Sequence, residues 1–181
     1  MPQRVFIETY GCQMNAADTE LMFGLLRHDG YAVADNAKEA DVVLLNTCAV
    51  RDRAEERILG RLGWYKALKR ERPDLVLGVA GCMAERLRED LVAKAPHVDL
   101  VIGPDAYRRL PQLIDNVQEQ PDNDYQVDVR LDKEEMYQEV RVDRVPGVSG
   151  WLTVQRGCDK FCTFCIVPFV RGRERSLPPE D

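Results

Sequence analysis

Three apolar runs, each ending at a cysteine, constrain the fold of this 181-residue chain more than any other feature. The runs occupy residues 4–12, 41–48 and 74–82, and they end at Cys12, Cys48 and Cys82. Continuous apolar segments bounded by turn residues are typical of strands buried on both faces, as in a parallel sheet. Helical periodicity follows each cysteine, and a fourth run at residues 98–102 precedes a fourth amphipathic segment. The pattern predicts an α/β domain of successive βαβ units around a parallel sheet.

The first helical segment has recognisable ends. Asn15 is placed to cap it, Asp18 and Glu20 would lie in its first turn, and Gly30 follows its last residue. The second segment is predicted to end before Pro73.

The three cysteines are about 35 residues apart, close to the ~30 or more residues of one βαβ unit. Because right-handed crossovers bring the carboxyl ends of parallel strands to one edge, we expect these thiols to converge there. The alternative is that they are buried cysteines that pack as small apolar residues.

Composition excludes several classes of protein. The net charge of −6 and the pI near 5.1 argue against a broad field that attracts nucleic acid or anionic membranes. No apolar stretch approaches the ~20 residues of a membrane-spanning helix, and no apolar signal segment follows Met1. We therefore expect a cytoplasmic protein whose six cysteines bind metal or do redox chemistry rather than form disulfides.

The sequence suggests three regions. Residues 1–119 form the α/β domain, and residues 120–150 are a strongly acidic connector. Residues 151–155 resemble a strand that opens a second unit over residues 151–181.

The most specific motif is the C-x3-C-x2-C spacing of Cys158, Cys162 and Cys165. Three thiolates in eight residues suit a four-iron cluster in which one iron stays open to another ligand. A structural zinc site is the alternative, but it needs a fourth ligand, and His28 and His97 are distant in sequence.

Together the motifs resemble a known family. They read YGCQMN at residues 10–15, NTCAVR at 46–51, GCMA at 81–84, and RGC followed by IVPFVRGRERS at 156–158 and 166–176. They are similar to the methylthiotransferases of the radical S-adenosylmethionine superfamily, and most similar to the branch that methylthiolates isopentenyladenosine beside the tRNA anticodon. Sister branches that act on threonylcarbamoyladenosine or on a ribosomal-protein aspartate remain alternatives.

The resemblance implies two [4Fe-4S] clusters and S-adenosylmethionine as cofactors. Cys158, Cys162 and Cys165 would hold the radical-forming cluster, Phe164 would lie beside the adenine of the cofactor, and Cys12, Cys48 and Cys82 would hold an auxiliary cluster. It also implies a tRNA substrate, an electron donor such as a flavodoxin or ferredoxin, and a monomer without membrane contact.

Two further expectations concern the carboxyl-terminal part. Arg171, Arg173 and Arg175 form the densest basic segment, either a solvated loop or a site that contacts cofactor carboxylate or RNA phosphate. By the same resemblance, residues 151–181 would be only the first strand and the cluster loop of a truncated radical S-adenosylmethionine (βα) barrel. This chain alone is therefore expected to be inactive. Alternatives are a non-catalytic iron–sulfur or sulfur-carrier module and a purely structural α/β domain.

Overall fold

The computed structural model describes residues 2–49, 52–120, 125–144, 147–148 and 150–178. Its centre is a six-stranded, wholly parallel sheet. The strands are β1 (Arg4–Thr9), β2 (Ala32–Val33), β3 (Val42–Thr47), β4 (Val76–Gly81), β5 (Leu100–Ile102) and β6 (Gln126–Asp128). The parallel α/β architecture predicted from the apolar runs is confirmed.

Helices cover both faces of the sheet, which explains why its central strands are apolar on both sides. The helices are α1 (Gln13–His28), α2 (Asp52–Glu71), α3 (Cys82–Leu87), α4 (Glu89–Lys94) and α5 (Leu110–Glu119). Alternate strand residues separate into two cores: Val43 and Leu45 pack with residues of α2, whereas Val42 and Leu44 pack with residues of α1 and α5. Every residue of β3 and β4 is buried.

The strand order β2-β1-β3-β4-β5-β6 places a topological switch between β1 and β3. The chain leaves β1 into α1 on one face and leaves β3 into α2 on the other. In open α/β sheets, the carboxyl ends of the strands at such a switch border the ligand crevice. Cys12 follows β1 and Cys48 follows β3, so both flank this point.

Local details differ from the sequence expectations at three helices. Helix α1 begins at Gln13 with Cys12 as its N-cap, so Asn15 lies inside the first turn and Asp18 in the second. The single helix expected after Cys82 is two short helices, broken at Arg88, whose φ is 52°. A short 3-10 helix (Tyr107–Arg109) precedes α5. Gly30 follows α1 with a φ of 91°, as its position predicted.

The acidic segment and the residues after it also contribute strands and a short helix. Strand β6 comes from residues 126–128 and pairs with β5 at the sheet edge. Residues 151–154 form no strand, so the strand predicted over 151–155 is wrong except at Gln155. Instead β7 (Gln155–Arg156) pairs antiparallel with β8 (Arg175–Ser176), and the short helix α6 (Val167–Val170) lies between them.

Candidate functional site

The first three cysteines lie at the carboxyl ends of three adjacent strands. Cys12 is the N-cap of α1 beyond β1, Cys48 directly follows β3, and Cys82 is the first residue of α3 after β4. Because β3 pairs with both β1 and β4, the three residues share one edge of the sheet. Cys48 and Cys82 are buried, whereas Cys12 is exposed.

Two glycines let the cysteine-bearing turns approach each other. Gly11 has a φ of 136°, and a Cβ there would lie 2.7 Å from Cys48 Cβ. Gly81 has a φ of 94°, and a Cβ there would lie 2.5 Å from the carbonyl oxygen of Thr47. A side chain at either position would force the turns apart, so the backbone contact at this edge depends on glycine.

A buried amide pair connects the turns that carry Cys12 and Cys48. Asn46 Nδ2 donates to the Asn15 carbonyl oxygen at 2.7 Å, and Asn15 Nδ2 donates to Asn46 Oδ1 at 2.9 Å and to Thr47 O at 3.1 Å. Asn15 Oδ1 in turn accepts from Cys12 N at 3.2 Å. Both asparagine side chains are fully buried, and their mutual bonds fix the position of the Cys12 backbone relative to β3.

Cys82 receives a hydrogen bond from the far end of the chain. Arg171 Nε lies 3.0 Å from Cys82 Sγ, and both side chains are buried. Burial raises the pKa of the Cys82 thiol above its ordinary value, and the Arg171 guanidinium opposes that rise. The residues after the C-x3-C-x2-C motif therefore contact the edge that carries the first three cysteines.

Two of the three residues in the arginine segment are buried, so a solvated loop describes only Arg173. Arg171 and Arg175 are buried and pair with Asp18 and Asp105 within this chain. Only Arg173 is exposed, and it pairs with Asp159. The solvated-loop expectation is thus wrong for the two buried residues, whereas contact with cofactor carboxylate or RNA phosphate stays a prediction.

The second cysteine motif lies between β7 and α6. Cys162 is exposed, and Cys158 and Cys165 are partly buried. Cys158 N donates to Gly172 O at 3.1 Å, and Cys165 N donates to Cys162 O at 2.9 Å, so the segment forms turns closed by backbone bonds. The side chain of Phe164 is 91% exposed. Its expected place beside a cofactor adenine stays a prediction.

The donor set suits an iron–sulfur cluster, since three cysteines reach one edge and soft thiolates are the ligands that iron–sulfur clusters prefer. Within the described ranges, however, no three His, Cys, Asp or Glu side chains are already arranged to hold a metal ion. Neither histidine belongs to the site: His28 is exposed at the end of α1, and the His97 ring contacts the Leu62 carbonyl oxygen. Cluster binding therefore remains a proposal.

Sequence reasoning missed several buried polar residues around this edge. The sequence predicts Asp18 only as an acidic residue of the first turn of α1, yet its side chain is fully buried. Its position three residues before Leu21, on the apolar face of α1, was the available signal. Glu85, three residues after Cys82, is also buried, and burial raises its pKa to about 7. Arg156 belongs to the RGC motif and is also buried, but a single arginine in a strand carries no pattern that predicts its burial.

Comparison with known proteins shows the family to which this chain is related. Residues 4–103 match the family model described as "Uncharacterized protein family UPF0004". The chain belongs to the UPF0004 family. The match contains strands β1 to β5 and all three cysteines of the sheet edge, so the family region coincides with the sheet core of this UPF0004 chain.

Curated relatives extend the similarity over nearly the whole chain. A tRNA-2-methylthio-N(6)-dimethylallyladenosine synthase of Parabacteroides distasonis is 48% identical over 176 residues, 96% of this chain and 38% of the relative. The enzyme with the same name from Chloroherpeton thalassium is 50% identical over 175 residues, 97% of this chain and 38% of the relative. This UPF0004 chain thus spans about two fifths of the length of these relatives. None of its described helices is long and apolar enough to cross a membrane.

Proposed function

We propose that this chain is the amino-terminal part of a tRNA methylthiotransferase that converts N6-isopentenyladenosine to its 2-methylthio derivative. The names of the relatives describe this product, and the similarity covers 96–98% of the chain. The observation that carries the proposal is the contact between Arg171 and Cys82. Through this contact, the segment that follows Cys165 touches the sheet edge that carries Cys12, Cys48 and Cys82.

The six cysteines would form two cluster-binding sites. Cys12, Cys48 and Cys82 would hold an auxiliary [4Fe-4S] cluster, and Cys158, Cys162 and Cys165 a second one. When bound, the clusters and S-adenosylmethionine supply the radical chemistry and the inserted sulfur. The protein contributes position and exclusion of water. Cys48 and Cys82 are buried and Cys12 is exposed, and the asparagine pair holds the Cys12 turn against β3.

The same proposal includes the cellular setting. A tRNA substrate places the enzyme in the cytoplasm, and reductive radical chemistry requires an electron donor such as a flavodoxin or ferredoxin. We further propose that the protein acts as a monomer.

A chimaera tests this function. In a strain that lacks its own enzyme, this chain replaces the matching part of the Parabacteroides distasonis relative, to which it is 48% identical over 176 residues. Mass spectrometry of tRNA nucleosides is expected to show the 2-methylthio product. Substitution of either cysteine triad by alanine should abolish it, whereas Asn36→Ala, on the exposed surface, should leave it unchanged.

Two results would contradict the proposal. A folded chimaera with bound iron and no product would favour a non-catalytic iron–sulfur or sulfur-carrier module. Product on threonylcarbamoyladenosine or on a ribosomal protein would assign the chain to a sister branch.

A further inference from the structure

Five buried charged side chains join the carboxyl-terminal segment to the sheet domain. Three are arginines of the segment and two are aspartates of the domain: Arg156, Arg171, Arg175, Asp18 and Asp105. A buried charge is expensive unless a partner of opposite charge and hydrogen bonds compensate it. The arrangement therefore defines how the segment sits on the sheet edge.

Asp18 differs from the other four because it binds two arginines at once. Its Oδ1 accepts from Arg156 Nη2 at 2.8 Å, and its Oδ2 lies 2.6 Å from Arg171 Nη1. In the chain, Arg156 lies two residues before Cys158, and Arg171 lies six residues after Cys165. One carboxylate of α1 thus holds both ends of the loop that carries the C-x3-C-x2-C motif.

Each of the two arginines makes a second contact that fixes its direction. Arg156 lies over the Tyr137 ring, 4.5 Å from its centroid, and the Tyr137 hydroxyl donates to Pro104 O at 2.8 Å. Arg171 directs Nε to Cys82 Sγ. Arg171 therefore contacts Cys82 and Asp18 through one planar guanidinium group, so its orientation toward one residue fixes its orientation toward the other.

Asp105 has a different role. It accepts from Arg175 Nη1 at 2.9 Å and from Nη2 at 3.1 Å, so it anchors β8, beyond the loop. Its contact holds the segment at one point, whereas Asp18 spans the two ends of the cysteine loop.

We propose that Asp18 is a positioning residue that fixes the cysteine loop of residues 158–165 against the edge that carries Cys12, Cys48 and Cys82. Its catalytic meaning rests on the proposed function, in which two sites must act on one nucleoside. A misplacement of about 1 Å between reacting groups can cost on the order of a hundredfold in rate.

Hydrogen exchange of this chain, followed by mass spectrometry, tests the structural part without metal or tRNA. Asp18→Asn leaves two buried guanidinium groups without their anion, so amides of residues 155–178 should exchange on the order of a hundredfold faster. Strand β3 should keep its protection.

Asp128→Asn is the matched control. Asp128 is also buried and also binds two arginines, Arg109 and Arg130, but neither belongs to the segment. Its substitution should leave exchange in residues 155–178 unchanged. Asp18→Asn with unchanged exchange there, or Asp128→Asn with the same acceleration, would overturn the proposal.

If Asp18→Asn also exposes β3, Arg171→Gln removes the loop-side partner instead and should accelerate exchange in the segment alone. In the chimaera, Asp18→Asn should lower kcat and leave KM for tRNA unchanged, and Asp18→Glu should recover part of kcat. A KM effect alone would contradict a positioning role. Failure of the exchange test would leave the proposed function intact, because that test requires no activity.

Discussion

Replacement of Asn46 by alanine tests whether the buried amide pair holds the cysteine-bearing turns together. The substitution removes three hydrogen bonds: two that Asn46 Nδ2 donates, to Asn15 O at 2.7 Å and Thr19 Oγ1 at 3.0 Å, and one that Asn46 Oδ1 accepts from Asn15 Nδ2. Asn15 Nδ2 keeps Thr47 O, and Thr19 Oγ1 keeps its contact with Thr9. At about 1 kcal/mol for each of the three lost bonds, the free energy of unfolding should fall by about 3 kcal/mol.

Urea unfolding followed by circular dichroism measures this loss, and Asn36→Ala is the matched control. Asn36 caps a short 3-10 helix on the exposed surface, where it accepts from Lys38 N and donates to Glu39. Its substitution should cost no more than about 1 kcal/mol. Equal losses for the two variants would refute the conclusion that the buried pair stabilises this edge.

Two further predictions concern residues beside Cys82. Gly81→Ala should lower the free energy of unfolding by about 3 kcal/mol or more, because the positive φ of Gly81 and a Cβ only 2.5 Å from Thr47 O both oppose a side chain. Gly30 also has a positive φ but open space around it, so Gly30→Ala should cost only about 1–2 kcal/mol when both variants are compared by thermal unfolding. Burial raises the pKa of Glu85 to about 7, so the folded state binds the Glu85 proton more tightly than the unfolded state does. The free energy of unfolding should therefore fall as the pH rises from about 4.5 to about 7, by up to ~1.4 kcal/mol per pH unit. Denaturation at several pH values should show this slope, and Glu85→Gln should lack it; an unchanged slope would refute the assignment.

The sheet could be predicted because its information is local. Runs such as residues 42–45 are apolar at every position, and a helix follows each, so the strand type and the parallel arrangement follow from the pattern. Strands β2 and β6 have only two and three residues, and their pairing with β1 and β5 depends on distant partners. The residue pattern of so short a strand cannot be distinguished from that of a loop.

The environment of the arginine segment could not be predicted for the same reason. A short run of alternating arginines is often solvated, and local composition does not decide between a solvated loop and a binding site. What buries Arg171 and Arg175 is the presence of Asp18 and Asp105, which lie far away in sequence. The positions of the cysteines at strand ends, in contrast, follow directly from the repeat of the βαβ unit.

The most direct test of the account is iron and sulfide analysis after anaerobic reconstitution of this chain. The central claim is that Cys12, Cys48 and Cys82, placed at one edge by three adjacent strands, hold an iron–sulfur cluster. The Cys12/Cys48/Cys82→Ala variant should lose about four irons per chain relative to the unsubstituted protein, the content of one cubane cluster, while Cys158/Cys162/Cys165→Ala should retain them. Iron content that is unchanged in the first variant would contradict the claim.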